Sequence, residues 1–245
     1  MTEAKVLHIE ALCARYERRD VLHGIDLQLQ RGEWLGLVGP NGSGKSTLLA
    51  CIAGRHAPAS GSIVVAGSDV MLATLAAKQA LGFAVDPALL PAVLTGTQCL
   101  EVFARSRKMT GPDADTLQLA QALQLQQALA LPIGHYSYGM RQKLSVLLAL
   151  LGDPPLLLLD EAFNGLDPRS GLVLQDALRS RVFARRCAVI LATHGLNIIA
   201  RCATRMALLH EGAIVRQWQG DAFAQLHAAP DGLEQALADA MASST

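Results

Sequence analysis

One run of residues constrains this chain more than any other: Gly39-Pro40-Asn41-Gly42-Ser43-Gly44-Lys45-Ser46-Thr47. It fits G-x-x-x-x-G-K-[ST], the pattern of a loop that cradles phosphate. The apolar residues 34–38 precede it, and the helical-looking Leu48-Leu49-Ala50-Cys51-Ile52 follows. A strand, a tight glycine-rich turn and a helix are therefore expected. The glycines let consecutive backbone N–H groups turn inward as an anion-binding nest. The helix adds its unpaired N–H groups and the positive end of its dipole. Lys45 would bring a full charge to the β- and γ-phosphates, and the Ser46 hydroxyl would face Mg²⁺.

The rest of the chain is consistent with a strand–loop–helix nucleus inside a mainly parallel sheet. With 245 residues, 51% of them apolar, it can bury a substantial core. Its 21 basic and 21 acidic residues cancel, so no basic field points to nucleic acid as a partner. No apolar run approaches the ~18 residues of a membrane span, and Met1-Thr2-Glu3-Ala4-Lys5 lacks a leader's apolar segment. The expectation is a chain neither secreted nor membrane-spanning. Cys13, Cys51, Cys99, Cys187 and Cys202 are scattered without a C-x-x-C pair and read as small buried residues.

Residues 6–12 and 21–29 alternate as two antiparallel strands, with Glu17-Arg18-Arg19-Asp20 as their turn. Further strands are expected at 62–66, 81–85, 187–192, 206–209 and 214–218, the last two meeting at Glu211-Gly212. Residues 95–151 are helical in pattern, with breaks at Gly111-Pro112 and Pro132-Ile133-Gly134. Helices are expected at 168–181 and 196–201, and a weakly amphipathic one at 231–242, after which Ser243-Ser244-Thr245 should fray.

Leu156-Leu157-Leu158-Leu159-Asp160-Glu161 is an apolar strand ending in two carboxylates. Two acids at a strand end are common in isolation. Beside a phosphate loop they acquire roles: Asp160 in the Mg²⁺ shell and Glu161 on the attacking water. Upstream, Tyr136-Ser137-Tyr138-Gly139-Met140 opens an apolar helix, where Ser137 can cap it and Gly139 exposes backbone N–H.

With these segments in view, the chain resembles the nucleotide-binding subunits of ATP-binding cassette (ABC) transporters. Their signature is typically LSGGQ, some twenty residues before the Asp-Glu pair. Ser137 and Gly139 match it; the first, third and fifth positions do not. The resemblance implies a P-loop NTPase core, an N-terminal antiparallel β subdomain and the helical stretch 95–151 as an inserted subdomain, all in one domain over 1–245. It implies ATP and Mg²⁺ as ligands, with Gly39, Pro40, Asn41, Gly42, Ser43, Gly44, Lys45, Ser46 and Thr47 around the phosphates and Tyr16 stacked on adenine. Ser46 and Asp160 would hold the metal. His194, after an apolar strand, matches the switch histidine at the γ-phosphate. Asn164-Gly165-Leu166-Asp167 resembles the loop at the seam of a head-to-tail dimer, in which Ser137 and Gly139 contact the partner's nucleotide.

One departure stands out. The family has a Gln at the entrance to the helical subdomain, and residues 81–94 contain none. Asp86 aligns there. It can bind Mg²⁺ through oxygen but adds negative charge beside the triphosphate. The resemblance implies a cytoplasmic subunit, peripheral on the inner membrane face, that pairs with a second copy and powers a separate integral membrane permease. The signature, with Leu94-Thr95-Gly96, resembles the branch serving exporters. A soluble ATPase acting on a cytoplasmic assembly, such as iron–sulfur cluster machinery, is the alternative. A DNA-repair or translation ATPase of the superfamily fits less well, for lack of a basic balance and a coiled-coil insertion.

Overall fold

The structure, a computed structural model, describes residues 5–17, 19–184, 186–229 and 231–242. Arg18 of the expected turn, Met1-Thr2-Glu3-Ala4 and Ser243-Ser244-Thr245 lie outside them. Strands β1 (Lys5–Tyr16) and β2 (Arg19–Gln30) form an antiparallel pair. β1 is longer than its alternation predicts. Ala11 takes a φ of 45° and the register shifts between Ile9 and Leu12, so an irregularity breaks the period while the pairing continues. Tyr16 is therefore the last residue of the strand rather than one beyond it. β3 (Trp34–Val38) leads through the glycine loop into α1 (Lys45–Ile52). β4 (Ser60–Val65) and the short β5 (Ser68–Asp69) complete a four-stranded sheet ordered β2-β1-β4-β5.

Helix α2 (Thr74–Gln79) follows, unannounced by any period: among its residues only Ala77 is buried. β6 (Leu81–Ala84) then enters the second sheet. The helical stretch consists of α3 (Gly96–Ser106), α4 (Ala114–Ala122) and α5 (Tyr138–Leu150), with 3-10 turns at Gln126–Ala130 and Ile133–His135. α3 starts with a capping box: the Thr95 side chain accepts from Gln98 N–H, and the Gln98 side chain accepts from Thr95 N–H. The remaining elements are β7 (Leu156–Asp160), α6 (Pro168–Phe183), β8 (Ala188–Ala192), α7 (Leu196–Cys202), β9 (Arg205–His210), β10 (Ala213–Gln219), α8 (Gly220–Ala228) and α9 (Gly232–Ala242).

The second sheet runs β10-β9-β3-β8-β7-β6, parallel except for the β9–β10 hairpin. Both faces are covered. Leu35, Leu37, Leu156, Leu158 and Ile190 pack toward α1 and the antiparallel sheet, while Leu157, Leu159, Val189, Leu191 and Leu208 pack toward the helices. A strand buried on both sides must be apolar at every position, which is why 156–159 is an unbroken leucine run. Truncating one of these to Ala should cost about 2–5 kcal/mol. Gly36 of β3 serves a packing role, because a Cβ there would collide with Ile199 of α7 as that helix crosses from β8 to β9.

Register sets up the chemistry. Ala192 pairs with Leu37 on one side and with Asp160 on the other, and Ala84 pairs with Leu159. The carboxyl ends of β3, β8, β7 and β6 thus finish nearly level, and the residues just past them form one row. The strands that carry the phosphate loop and Asp160, β3 and β7, are not neighbours: β8 stands between them. That puts β3 and β7 about 10 Å apart, at ~4.8 Å per strand, and brings the residues after β8 into the gap.

Candidate active site

The loop after β3 has the strained backbone its glycines allow. Gly39, Gly42 and Gly44 have φ of 154°, 80° and 108°. A Cβ on Gly44 would lie 2.8 Å from Leu22 Cδ2, so the loop is also packed against β2. Lys45 is 8% exposed, and its Nζ donates to the carbonyls of Gly39 (2.7 Å) and Pro40 (3.0 Å). Burial lowers its pKa, with Glu161 and Asp160 pulling the other way. Ser43 is buried, and its Oγ has no hydrogen-bond partner within the protein. An orphaned hydroxyl and a desolvated ammonium in one nest suit an anion.

Asp160 closes the other side. Its pKa is raised, first by burial; the Ser46 hydroxyl opposes this by hydrogen bonding, and the Glu161 and Asp86 carboxylates add to it. Ser46, Lys45, Asp160 and Glu161 line a common cavity of about 230 Å³ with Asn41, Gly42, Gly44 and Thr47. A hydroxyl and a carboxylate in contact form an oxygen donor set that fits Mg²⁺.

Glu161 sits in the left-handed region, at φ 47°, with its N–H bonded to the Ala192 carbonyl at 2.9 Å. Its side chain is held by the residues after β8. Oε2 accepts from Thr193 Oγ1 at 2.9 Å, and Oε1 accepts from His194 N at 3.2 Å and from His194 Nδ1 at 2.8 Å. A carboxylate only accepts, so His194 carries its proton on Nδ1. The sequence singles out His194 but assigns no role to Thr193, whose buried hydroxyl clamps the other carboxylate oxygen. The signal was the Thr itself, a polar residue following five apolar ones.

The remaining expected positions divide. Asp86, two residues past the end of β6, and Asp160 both line a cavity of about 510 Å³ with Ser46, Thr47 and Glu161. Its Oδ1 also caps the 3-10 turn Pro87–Leu89 by accepting from Ala88 N at 2.9 Å. Tyr16 is half exposed and borders both that cavity and a larger one of about 680 Å³ containing Pro40, Asn41, Gly42 and Ser43. Ser137 N-caps α5, accepting from Met140 N at 3.2 Å. Gly139 abuts Gly165: a Cβ there would be 2.6 Å from the Gly165 carbonyl oxygen. Asp167 N-caps α6 through Ser170 N and Oγ and pairs with Lys143 at 3.1 Å, contacts that hold its pKa well below the usual carboxylate value. Neither Ser137 nor Gly139 lines the three cavities at the phosphate loop.

The sequence pattern defining the family described as ABC transporter matches residues 22–164, which is more than half the chain. The chain belongs to the ABC transporter ATP-binding family. Tyr16, Asp167 and His194 fall outside the matched span. The uncharacterized ABC transporter ATP-binding protein YdbJ of Bacillus subtilis is 34% identical, over 85% of this chain and 68% of its own length. The Nod factor export ATP-binding protein I of Burkholderia pseudomallei is also 34% identical, over 81% of this chain and 66% of its own. This chain therefore spans about two thirds of the length of these relatives. A solved ATP-binding subunit of an ABC transporter superposes with a TM-score of 0.87 at 26% identity, covering 96% of this chain and 99% of that one. A dimeric ATP-binding cassette bound to ADP and phosphate shares the fold, with a TM-score of 0.76 at 21% identity over 87% of this chain and 98% of that one. As an ABC ATP-binding subunit, this chain binds and hydrolyses ATP.

Proposed function

We propose that this subunit drives export through a separate membrane permease, working as a head-to-tail pair of identical chains that close on two ATP molecules. The observation that carries the reading is the level row of strand ends. It gathers Lys45, Asp160, Glu161, Thr193 and His194 in one cleft and leaves Ser137 and Gly139 outside it. Tyr138 between them borders the cavity of Asp160 and Glu161, but Ser137 and Gly139 do not, and they are left available to a second chain. Export is supported by the relative named for Nod factor export. Among the described residues no helix is long and apolar enough to cross a membrane, and the proposal puts the route for cargo in the permease. That reading places the subunit on the cytoplasmic face of the membrane, and it makes the iron–sulfur alternative the weaker one.

In this proposal the loop N–H groups, Ser43 Oγ and Lys45 hold the phosphates, while Tyr16 stacks on adenine. Ser46 and Asp160 would hold Mg²⁺, which supplies charge neutralisation at the phosphate oxygens. Glu161 orients the attacking water. Its Oε1 accepts from both the backbone N–H and the ring Nδ1 of His194, so one acceptor position opens for the water when the His194 ring turns from Glu161 toward the γ-phosphate. Asp167 would lie at the seam. Affinity purification of the tagged chain from its own membranes tests the transport reading. A polytopic protein should accompany it and stimulate its ATPase; recovery with cytosolic proteins alone would sink the proposal.

A further inference from the structure

The adenine position assigned above leaves Tyr16 standing half exposed at the end of a strand, and the structure shows what steadies it. The His56 ring stacks on Tyr16, with centroids 4.2 Å apart and planes 24° from parallel. His56 Nε2 lies 3.1 Å from the Arg15 carbonyl. A carbonyl only accepts, so Nε2 carries the hydrogen and the ring's orientation is fixed by the residue next to Tyr16. The segment bearing His56 is itself pinned at both ends. Gly54 turns left-handed after α1, at φ 61°, and the N–H groups of Arg55 and His56 both reach the Ala50 carbonyl, at 2.9 and 3.2 Å. Beyond it, Ala59 N–H bonds the Cys13 carbonyl of β1 at 2.8 Å.

The placement is one-sided. His56 lines the cavity that contains Asp86 and Glu161, whereas Tyr16 lines that cavity and also the larger one beside Pro40, Asn41 and Gly42, where His56 does not reach. One face of the Tyr16 ring is therefore covered, and the other faces the space next to the phosphate loop. We infer that His56 is a positioning residue that holds Tyr16 edge-fixed for stacking on the nucleotide base. The inference rests on the reading that Tyr16 meets adenine. Its physical basis is preorganisation: an exposed Tyr at a strand end samples several rotamers, and a base that stacks on it must select one. A ring clamped on one face has already been selected, and the pair forms a stack of three when the base arrives.

The test separates base from phosphate. Affinities for ATP and for inorganic tripolyphosphate, both with Mg²⁺, are measured for the wild type, Tyr16→Ala, His56→Ala and His56→Phe. An aromatic pair is worth about 0.5–1.5 kcal/mol, so His56→Ala should weaken ATP binding about 2- to 10-fold. Tripolyphosphate affinity should stay unchanged, which also shows that the variant is folded. His56→Phe keeps the stack without the hydrogen bond and should recover most of the loss. In steady state the His56→Ala effect should fall on KM for ATP, with kcat preserved. Equal weakening of ATP and tripolyphosphate would mean that His56 merely supports α1 and would overturn the inference. So would a loss in Tyr16→Ala that His56→Ala does not share. If Tyr16→Ala itself leaves ATP affinity intact, the adenine reading fails and the inference falls with it.

Discussion

The phosphate loop and the start of α5 both present a helix N-terminus with a nearby serine and glycine, yet they are finished differently. At the loop the chain leaves polar groups wanting. Ser43 Oγ has no partner, and Lys45 is desolvated against two backbone carbonyls. At α5 the side chains find partners within the chain. Ser137 accepts the Met140 N–H, and Asp167 is taken up by Ser170 and Lys143. A socket with unmet donors is built for a small anion. A surface already at rest gains function only when another large body is brought to it. Under the proposed head-to-tail pairing, the difference implies that nucleotide binds first at the loop and that the signature acts once the pair assembles.

The largest effect should come from emptying the socket. Lys45→Ala removes the only full positive charge in the loop, and ATPase activity should fall by about 10²-fold or more. Nucleotide affinity, measured by equilibrium dialysis, should fall with it; normal affinity and turnover would place the phosphates elsewhere. Glu161→Gln sharpens the comparison from the other side. The amide keeps the shape but not the acceptor that orients water, so hydrolysis should drop by about 10²-fold or more while ATP binding persists. With Mg-ATP this variant should sediment at twice the monomer mass. A persistent monomer at high protein and nucleotide concentration would break the assembled-pair argument.

Ser137→Ala addresses the resting surface directly. Loss of the α5 cap should cost about 1 kcal/mol of stability, visible as a lower thermal midpoint. ATPase activity should fall about 10-fold, for one hydrogen bond to a charged group. Binding of ATP to the monomer should not change. If monomer affinity drops as well, the two regions are not separable. The smallest effect is expected at Asp86→Gln, which removes one negative charge near Asp160. Metal-free ATP should bind a few-fold tighter, with less difference when Mg²⁺ screens the site. An unchanged metal dependence would leave Asp86 as the cap of its 3-10 turn and nothing more.

How much of this was legible in the sequence follows the same division. The loop is a local backbone problem, so Gly39, Gly42 and Gly44 announce it through spacing alone. The leucines 156–159 announce a doubly covered strand in the same way. What depends on pairing across the sheet was hidden. Nothing local says that β8 separates β3 from β7, and therefore nothing says that Thr193 and His194 hold Glu161. Asp86 is found by its position relative to a family pattern, and an acid before Pro87 also reads as a turn cap, which is what its bond to Ala88 makes it. The short helix α2 hides because its few residues bury one alanine. α8 hides because it begins directly at Gly220, against β10, with no side-chain cap at Gln219. The stack of Tyr16 on His56 joins residues forty positions apart, and only the folded β1–α1 contact brings them together.

The turn between β9 and β10 has a bearing on how sequences of this kind are compared. Gly212 N–H bonds the Ser43 carbonyl at 3.0 Å, and the Gly212 carbonyl accepts from His23 N at 2.9 Å. Its φ is 77°, and a Cβ there would strike the Val21 carbonyl oxygen. The loop proposed to meet nucleotide is thus propped from behind by a glycine of the β9–β10 turn, which lies outside the span that the family pattern matches. A drifting descendant could retain every letter from Gly39 to Thr47 and still be a dead gene, silenced by a single methyl group at Gly212.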